Sequence, residues 1–192
     1  RLDRDEKENI EWLIKDFDID EGSARSIISY VKEQRDTAKV PDDRTFIIEG
    51  YLDNSGNSNV IFHFPFGRRV NDALSRAYAF QVTARLGCNV SVSVVDDAFM
   101  LTIPRKVDLS MFDGLVRSAD LEDILRRAVK DSELFKQRFR HTAARSFMIL
   151  RNYKGREVSV NRQQVRSTFL LDRLGEAKDA PVIEETYREV LE

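Results

Sequence analysis

The sequence predicts an α+β domain, in which a four-stranded antiparallel sheet of ββαββ order is packed with helices, preceded by a helical hairpin and followed by a helical C-terminal half. Two observations predict it. Apolar residues recur at helical spacing up to Val31, alternate with period two in two separate stretches between Phe46 and Ile103, and return to helical spacing from Leu109 onward. The changes of period coincide with turn and breaker residues.

The stretch from Glu6 to Phe17 sets Ile10, Leu13, Ile14 and Phe17 at helical spacing. Asp20 then caps a second helix with Ala24, Ile27, Ile28 and Val31 on one side. After the Val40-Pro41-Asp42-Asp43 breaker, Phe46, Ile48 and Gly50 alternate with Ile47, Glu49 and Tyr51 as a strand. Asp53-Asn54-Ser55-Gly56 is a turn, and Val60, Phe62, Phe64 and Phe66 return beside it as the second strand of a hairpin. Gly67 opens a helix running to about Leu86, with Val70, Ala73, Leu74, Ala77 and Tyr78 as its buried stripe and Gly87 as its left-handed stop. A second hairpin has Val90, Val92 and Val94 going out and Phe99, Leu101 and Ile103 coming back, closed by Pro104. Beyond Leu109 no segment reads as strand, and helices are expected over Leu115–Val129, Glu133–Leu150, Val160–Leu174 and Glu184–Leu191. The flanking helices are expected to cover the apolar face of the sheet.

The chain of 192 residues carries a formal net charge of −2 and a single cysteine, which excludes an internal disulfide and suits a reducing compartment. Cys88 is expected in a strand-like stretch as a small buried hydrophobe. No apolar run is long enough to span a bilayer, and the charged amino terminus lacks a signal core, so a cytoplasmic protein with no membrane partner is expected. A start without methionine and a helix running up to Glu192 suggest a piece of a longer polypeptide.

Catalytic signals are missing. There is no GxxxxGK[ST] loop and no DExH-type box, so this chain has no sequence basis for binding or hydrolysing a nucleotide. His63 and His141 lack a second ligand at metal spacing, and Asp42-Asp43 and Asp96-Asp97 fall at turns. Trp12, Phe62, Phe64 and Phe66 read as core. No catalytic, cofactor-binding or metal residue is expected.

The basic residues are more informative. Lys136, Arg138, Arg140, Arg145, Arg151, Lys154, Arg156, Arg162 and Arg166 fall in one stretch whose only acid is Glu157. In the helix from Glu133, Phe135, Phe139, Ala143, Phe147 and Leu150 form the apolar stripe while Arg138, His141 and Arg145 line a flank. The loop Asn152-Tyr153-Lys154-Gly155-Arg156 sets an exposed aromatic among cations, a combination suited to a single strand of nucleic acid. Arg68 and Arg69 stand at a helix start, where free N–H groups and the dipole favour an anion. The expected strand-contacting residues are therefore Arg68, Arg69, Arg138, Arg145, Lys154 and Arg156, with Arg162 and Arg166 as further candidates. Salt bridging to acidic neighbours is the alternative use of these cations, and with it a protein-binding or docking module without nucleic-acid contact.

Several segments resemble a known family. Val40-Pro41-Asp42-Asp43-Arg44, the run from His63 through Pro65, Phe66, Gly67, Arg68 and Arg69 to Asn71, and the run from Leu134 through Arg138 and Phe139 to Arg145 carry the resemblance. Gln163-Gln164, Leu170-Leu171 and the Pro181–Thr186 segment continue it in the same order. The chain resembles the accessory region, the DEAD/H-associated domain, of Lhr-type (large helicase-related) superfamily 2 helicases, above all their archaeal branch. The resemblance implies domains at 1–39, a helical hairpin ending a winged-helix module, and at 40–192, the DEAD/H-associated α+β domain. It also implies a parent protein that is an ATP-dependent DNA helicase, with ATP and Mg2+ in RecA-like motor domains of the same polypeptide. Its partners are then single-stranded DNA or an RNA:DNA hybrid, and its work DNA repair or recombination. A choice between DNA and RNA, the direction of travel and the oligomeric state are left open.

Overall fold

The computed structural model describes residues 5–42, 45–174 and 180–191. Residues 1–4, Asp43, Arg44 and Glu192, used above, lie outside the described residues. Helices α1 (Glu6–Phe17) and α2 (Glu21–Thr37) form the expected hairpin, the second started by the Asp20 carboxylate accepting from the Ser23 N–H at 3.0 Å. Ile10 and Leu13 pack on Ala24 and Ile28, whereas Phe17 and Ile27 stay exposed.

Strands β1 (Ile47–Leu52), β2 (Ser58–His63), β3 (Ser91–Val94) and β4 (Ala98–Ile103) form an antiparallel sheet of order β1-β2-β4-β3. Two sequence-local hairpins are thus joined through their second strands, and the side chains of Phe62 and Phe99 stack at 4.4 Å where β2 meets β4. The Asp53 carboxylate closes the first hairpin by accepting from the N–H groups of Ser55 and Asn57. Phe64 joins the core; Phe66 does not, and lies half exposed against Phe46.

The layer over the sheet is α3 (Arg68–Leu86), not the flanking helices as expected. Tyr78 and Val82 meet Val60, Phe62, Phe99 and Leu101, while Ala77 on another face of α3 meets Ile124 and Leu125. Being packed on two sides, α3 lacks the single expected stripe. Val70 is exposed, and the small polar residues Asn71 and Ser75 are fully buried. The Asn71 Nδ2 faces the carbonyls of Phe64 (2.8 Å), Asp96 (3.1 Å) and Val95 (3.3 Å), tying together the segments that follow β2 and β3. Cys88 falls in the bend after α3 rather than in a strand, partly buried against the sheet core.

The third layer is α4 (Leu121–Val129), α5 (Glu133–Arg145), α6 (Val160–Leu174) and α7 (Pro181–Leu191). The helix expected from Leu115 begins only at Leu121, because Gly114 turns with φ 60° and Leu115 enters the sheet core. The last helix begins earlier than expected, at Pro181, whose missing N–H costs nothing in a first turn. Arg126 joins α4 to α7, donating to both carboxylate oxygens of Glu184 while lying 5.0 Å over the Tyr187 ring. The expectation of no strand beyond Leu109 fails at β5 (Asn152–Tyr153) and β6 (Arg156–Glu157), a two-rung antiparallel hairpin. Lys154 (φ 50°) and Gly155 (φ 74°) form its turn, both with the positive φ that matches strand twist.

Candidate nucleic-acid interface

Helix α5 organises the basic residues. Ser132 caps it, accepting from the Phe135 N–H at 3.2 Å, and Phe135, Phe139 and Ala143 bury its inner face. The helix ends at Arg145, five residues before the expected Leu150. Phe147 takes a left-handed φ of 58°, and the N–H groups of Met148 and Ile149 both return to the Ala143 carbonyl (2.9 and 3.1 Å). This wrap puts Ile149 into the core in place of Phe147, which is 84% exposed, and of Leu150, which is 42% exposed.

The outer flank holds Arg138, His141 and Arg145, as expected. Burial pushes the His141 imidazole below its ordinary value, and four surrounding guanidinium groups, those of Arg140, Arg151, Arg138 and Arg145, push it further the same way. The charge of Arg151, beyond the end of α5, acts on this imidazole together with those of the helix, so the positive field extends past the helix end. Arg145 is not free within it: it is ion-paired with Glu189 of α7 and also donates toward Thr142. Lys136 is likewise held by Glu133 at 2.8 Å.

On the β5–β6 hairpin, the Lys154 ammonium lies 5.5 Å from the ring of Tyr153, and Tyr153, Lys154 and Arg156 are all exposed. The hairpin is tied to α6, since the Gln163 amide donates to the Val158 carbonyl at 2.7 Å. Arg162 and Arg166, one turn apart on α6, are exposed. Arg138, Arg156, Arg162, Arg166 and Arg68 form no ion pair with a described residue.

Arg68 and Arg69 stand in the first turn of α3, behind Gly67, with no side-chain cap and no acid in that turn. Arg69 borders a groove shared with Val129, Leu134 and Leu191, beside the first turn of α5. Arg145 lies at the other end of that helix, about 18 Å along its axis. The structure therefore places Arg138 and Arg145 on one helix, sets Lys154 and Arg156 on the hairpin that follows it, and puts Arg69 beside the start of α5, at the end away from Arg145. Arg140 and Arg151, outside the expected strand-contacting set, belong to the same basic stretch, and Phe147, expected in the apolar stripe, is exposed. The four successive apolar residues Phe147–Leu150 were the available signal, since a helix cannot bury four in a row on one face.

Among the described residues no His, Cys, Asp or Glu cluster suits a metal ion, and no helix is long and apolar enough to cross a membrane.

The DEAD/H associated family model matches residues 40–192. The ATP-dependent helicase Lhr-Core of Saccharolobus solfataricus is 44% identical over 192 residues, covering 96% of this chain and 22% of the relative. The Lhr helicase/uracil glycosylase of Escherichia coli is 34% identical over 186 residues, covering 94% of this chain and 12% of the relative. A structure of the Mycobacterium smegmatis helicase Lhr bound to ssDNA and AMP-PNP superposes with a TM-score of 0.74 at 29% identity, over 100% of this chain and 24% of that one. The chain thus spans roughly a quarter or less of the length of these relatives.

Proposed function

The chain belongs to the DEAD/H associated family, and from that premise we propose that it is the non-motor accessory domain of an Lhr-type ATP-dependent DNA helicase, guiding single-stranded nucleic acid beside a RecA-like motor. The observation that carries this reading is the basic stretch along α5 and the segment after it, in which Glu157 is the only acid from Lys136 to Arg166, the charges of Arg138, Arg140, Arg145 and Arg151 all act on His141, and of these four Arg145 is the one ion-paired with a described residue. Such a region attracts phosphates without reading sequence, which is what a domain beside a translocating motor needs. Arg68, Arg69, Lys154, Arg156, Arg162 and Arg166 extend the contact in this reading. ATP and Mg2+ belong to the motor domains of the parent protein, the strand is single-stranded DNA or one strand of an RNA:DNA hybrid, and the setting is cytoplasmic DNA repair or recombination. The α1–α2 hairpin is assigned to the end of a winged-helix module, with the accessory domain beginning at residue 40.

Two observations favour a second reading, a docking module that holds the motor and does not touch the strand. Arg145 is already engaged by Glu189, and Val165 and Phe169 are exposed on α6 at one-turn spacing. Changing Arg138 and Arg145 to Ala in the full-length helicase separates the two. Weakened strand binding supports guiding, whereas lost ATPase activity with intact strand affinity supports docking.

A further inference from the structure

Phe147 combines two locally unfavourable features. Its φ of 58° is a conformation that costs a non-glycine residue free energy, and its ring is the most exposed of the large apolar side chains among the described residues, at 84%. A glycine would make the same turn without strain, and Ile149, 3% exposed, already supplies the apolar anchor of the segment. Neither the helix end nor the core therefore requires an aromatic ring at this position. Strained residues persist where the surroundings impose them, and they concentrate at binding sites.

The surroundings specify an occupant. From Leu134 to Arg156 the chain contains no acid, and Phe147 falls in sequence between Arg145, which Glu189 of α7 pairs, and the exposed Arg151. Further exposed apolar side chains follow it in sequence at Met148 (46%), Leu150 (42%) and, on the β5–β6 hairpin, Tyr153 (56%). A ligand suited to this surface carries regularly spaced negative charges and flat apolar faces, the description of an unpaired polynucleotide. We infer that Phe147 is a base-stacking platform for single-stranded nucleic acid, with Arg138 and Arg151 neutralising the phosphates on either side. The inference rests on the strand-guiding reading and adds to it the residue that holds a base.

The test compares four variants of the full-length protein, Phe147→Ala, Phe147→Gly, Phe147→Trp and the double charge reversal R138E/R151E, binding a fluorescent single-stranded oligonucleotide and a matched abasic strand at several salt concentrations. Stacking predicts that Phe147→Ala weakens binding to the normal strand about tenfold, the size of one base–aromatic stack, with an unchanged salt slope. Phe147→Trp retains affinity, and the abasic strand binds wild type and Phe147→Ala alike. Phe147→Gly guards against a folding artefact, because it eases the left-handed turn: it keeps or raises the melting temperature while losing the same affinity. If the charge reversal weakens binding and Phe147→Ala does not, the stacking role is overturned and the guiding reading stands. If Phe147→Ala weakens normal and abasic strands equally, the ring contacts the backbone or another protein surface, and stacking is again overturned. If the charge reversal leaves affinity and salt slope untouched, the guiding reading fails and the stacking role falls with it.

Discussion

Replacing Asn71 with alanine removes the side chain that ties the start of α3 to the segments following β2 and β3. Its Nδ2 has two hydrogens directed among three carbonyls, those of Phe64, Asp96 and Val95, and the residue is fully buried. Losing two shared hydrogen bonds costs about 2 kcal/mol, and leaving the carbonyls short of donors adds roughly 1 to 3 kcal/mol. The Oδ1 of Asn71 has no partner, so deleting it returns about 1 kcal/mol. The expected loss is about 3 kcal/mol, or roughly 6 to 12 °C in melting temperature for a chain of this size. Urea unfolding of the 192-residue chain, followed by circular dichroism, measures it, with the m-value expected to stay constant. Asn71→Asp is expected to be at least as damaging, because it turns an acceptor toward the same carbonyls. A loss below about 1 kcal/mol for Asn71→Ala means that water replaces the amide, and the tie is then not what orders these segments.

Three further outcomes follow from the geometry around α5. Glu189→Gln releases Arg145, so it should cost about 1 kcal/mol of stability, the upper end for a surface pair because the Glu189 carboxylate is partly buried, and raise strand affinity roughly twofold to threefold in an equilibrium titration. The His141 imidazole titrates below its ordinary value in the fold, so the unfolded chain takes up a proton first as pH falls. Stability from this group is present above about pH 6.5 and is lost as pH drops from there toward the depressed folded value. Bound phosphates reverse the repulsion from Arg140, Arg151, Arg138 and Arg145, so strand affinity should rise between about pH 7.5 and pH 5.5, and His141→Gln should flatten that rise. Gly155→Val forces a β-branched residue into φ 74°, and should unfold the β5–β6 hairpin locally, seen as faster amide exchange at Arg156 and Val158 with little change in global stability.

The elements readable in the sequence were those with a strong local signal. Asp20 and Ser23 mark the start of α2, Gly67 and Gly87 bracket α3, and strict alternation from Val60 to Phe64 and from Phe99 to Ile103 defines the two central strands. The end of α5 carried no capping residue, only the indirect signal of four apolar residues in a row. A left-handed residue there is normally glycine or asparagine, and Phe147 within an apolar run reads as one more helical turn. The β5–β6 hairpin escaped because two-residue strands are too short for any period, and Lys-Gly is a weaker turn signal than Asn-Gly. Burial of Asn71 depends on carbonyls 7, 24 and 25 residues away, which no local pattern reveals. Of the candidate interface, the basic stretch was plain from composition. What folding added is the setting of these cations: the charges of Arg151, Arg138 and Arg140 all act on His141, Arg145 is taken up by Glu189, and Arg69 stands beside the start of α5.

The salt dependence of single-strand binding by the full-length helicase and by an R138E/R140E/R151E variant tests the guiding role most directly. Each phosphate contact contributes about 0.7 to the slope of log affinity against log salt on a single strand, so removing three contacts should lower the slope by about 2. Equal slopes for the two proteins, with equal affinities at low salt, would mean that the cluster around His141 does not touch the strand.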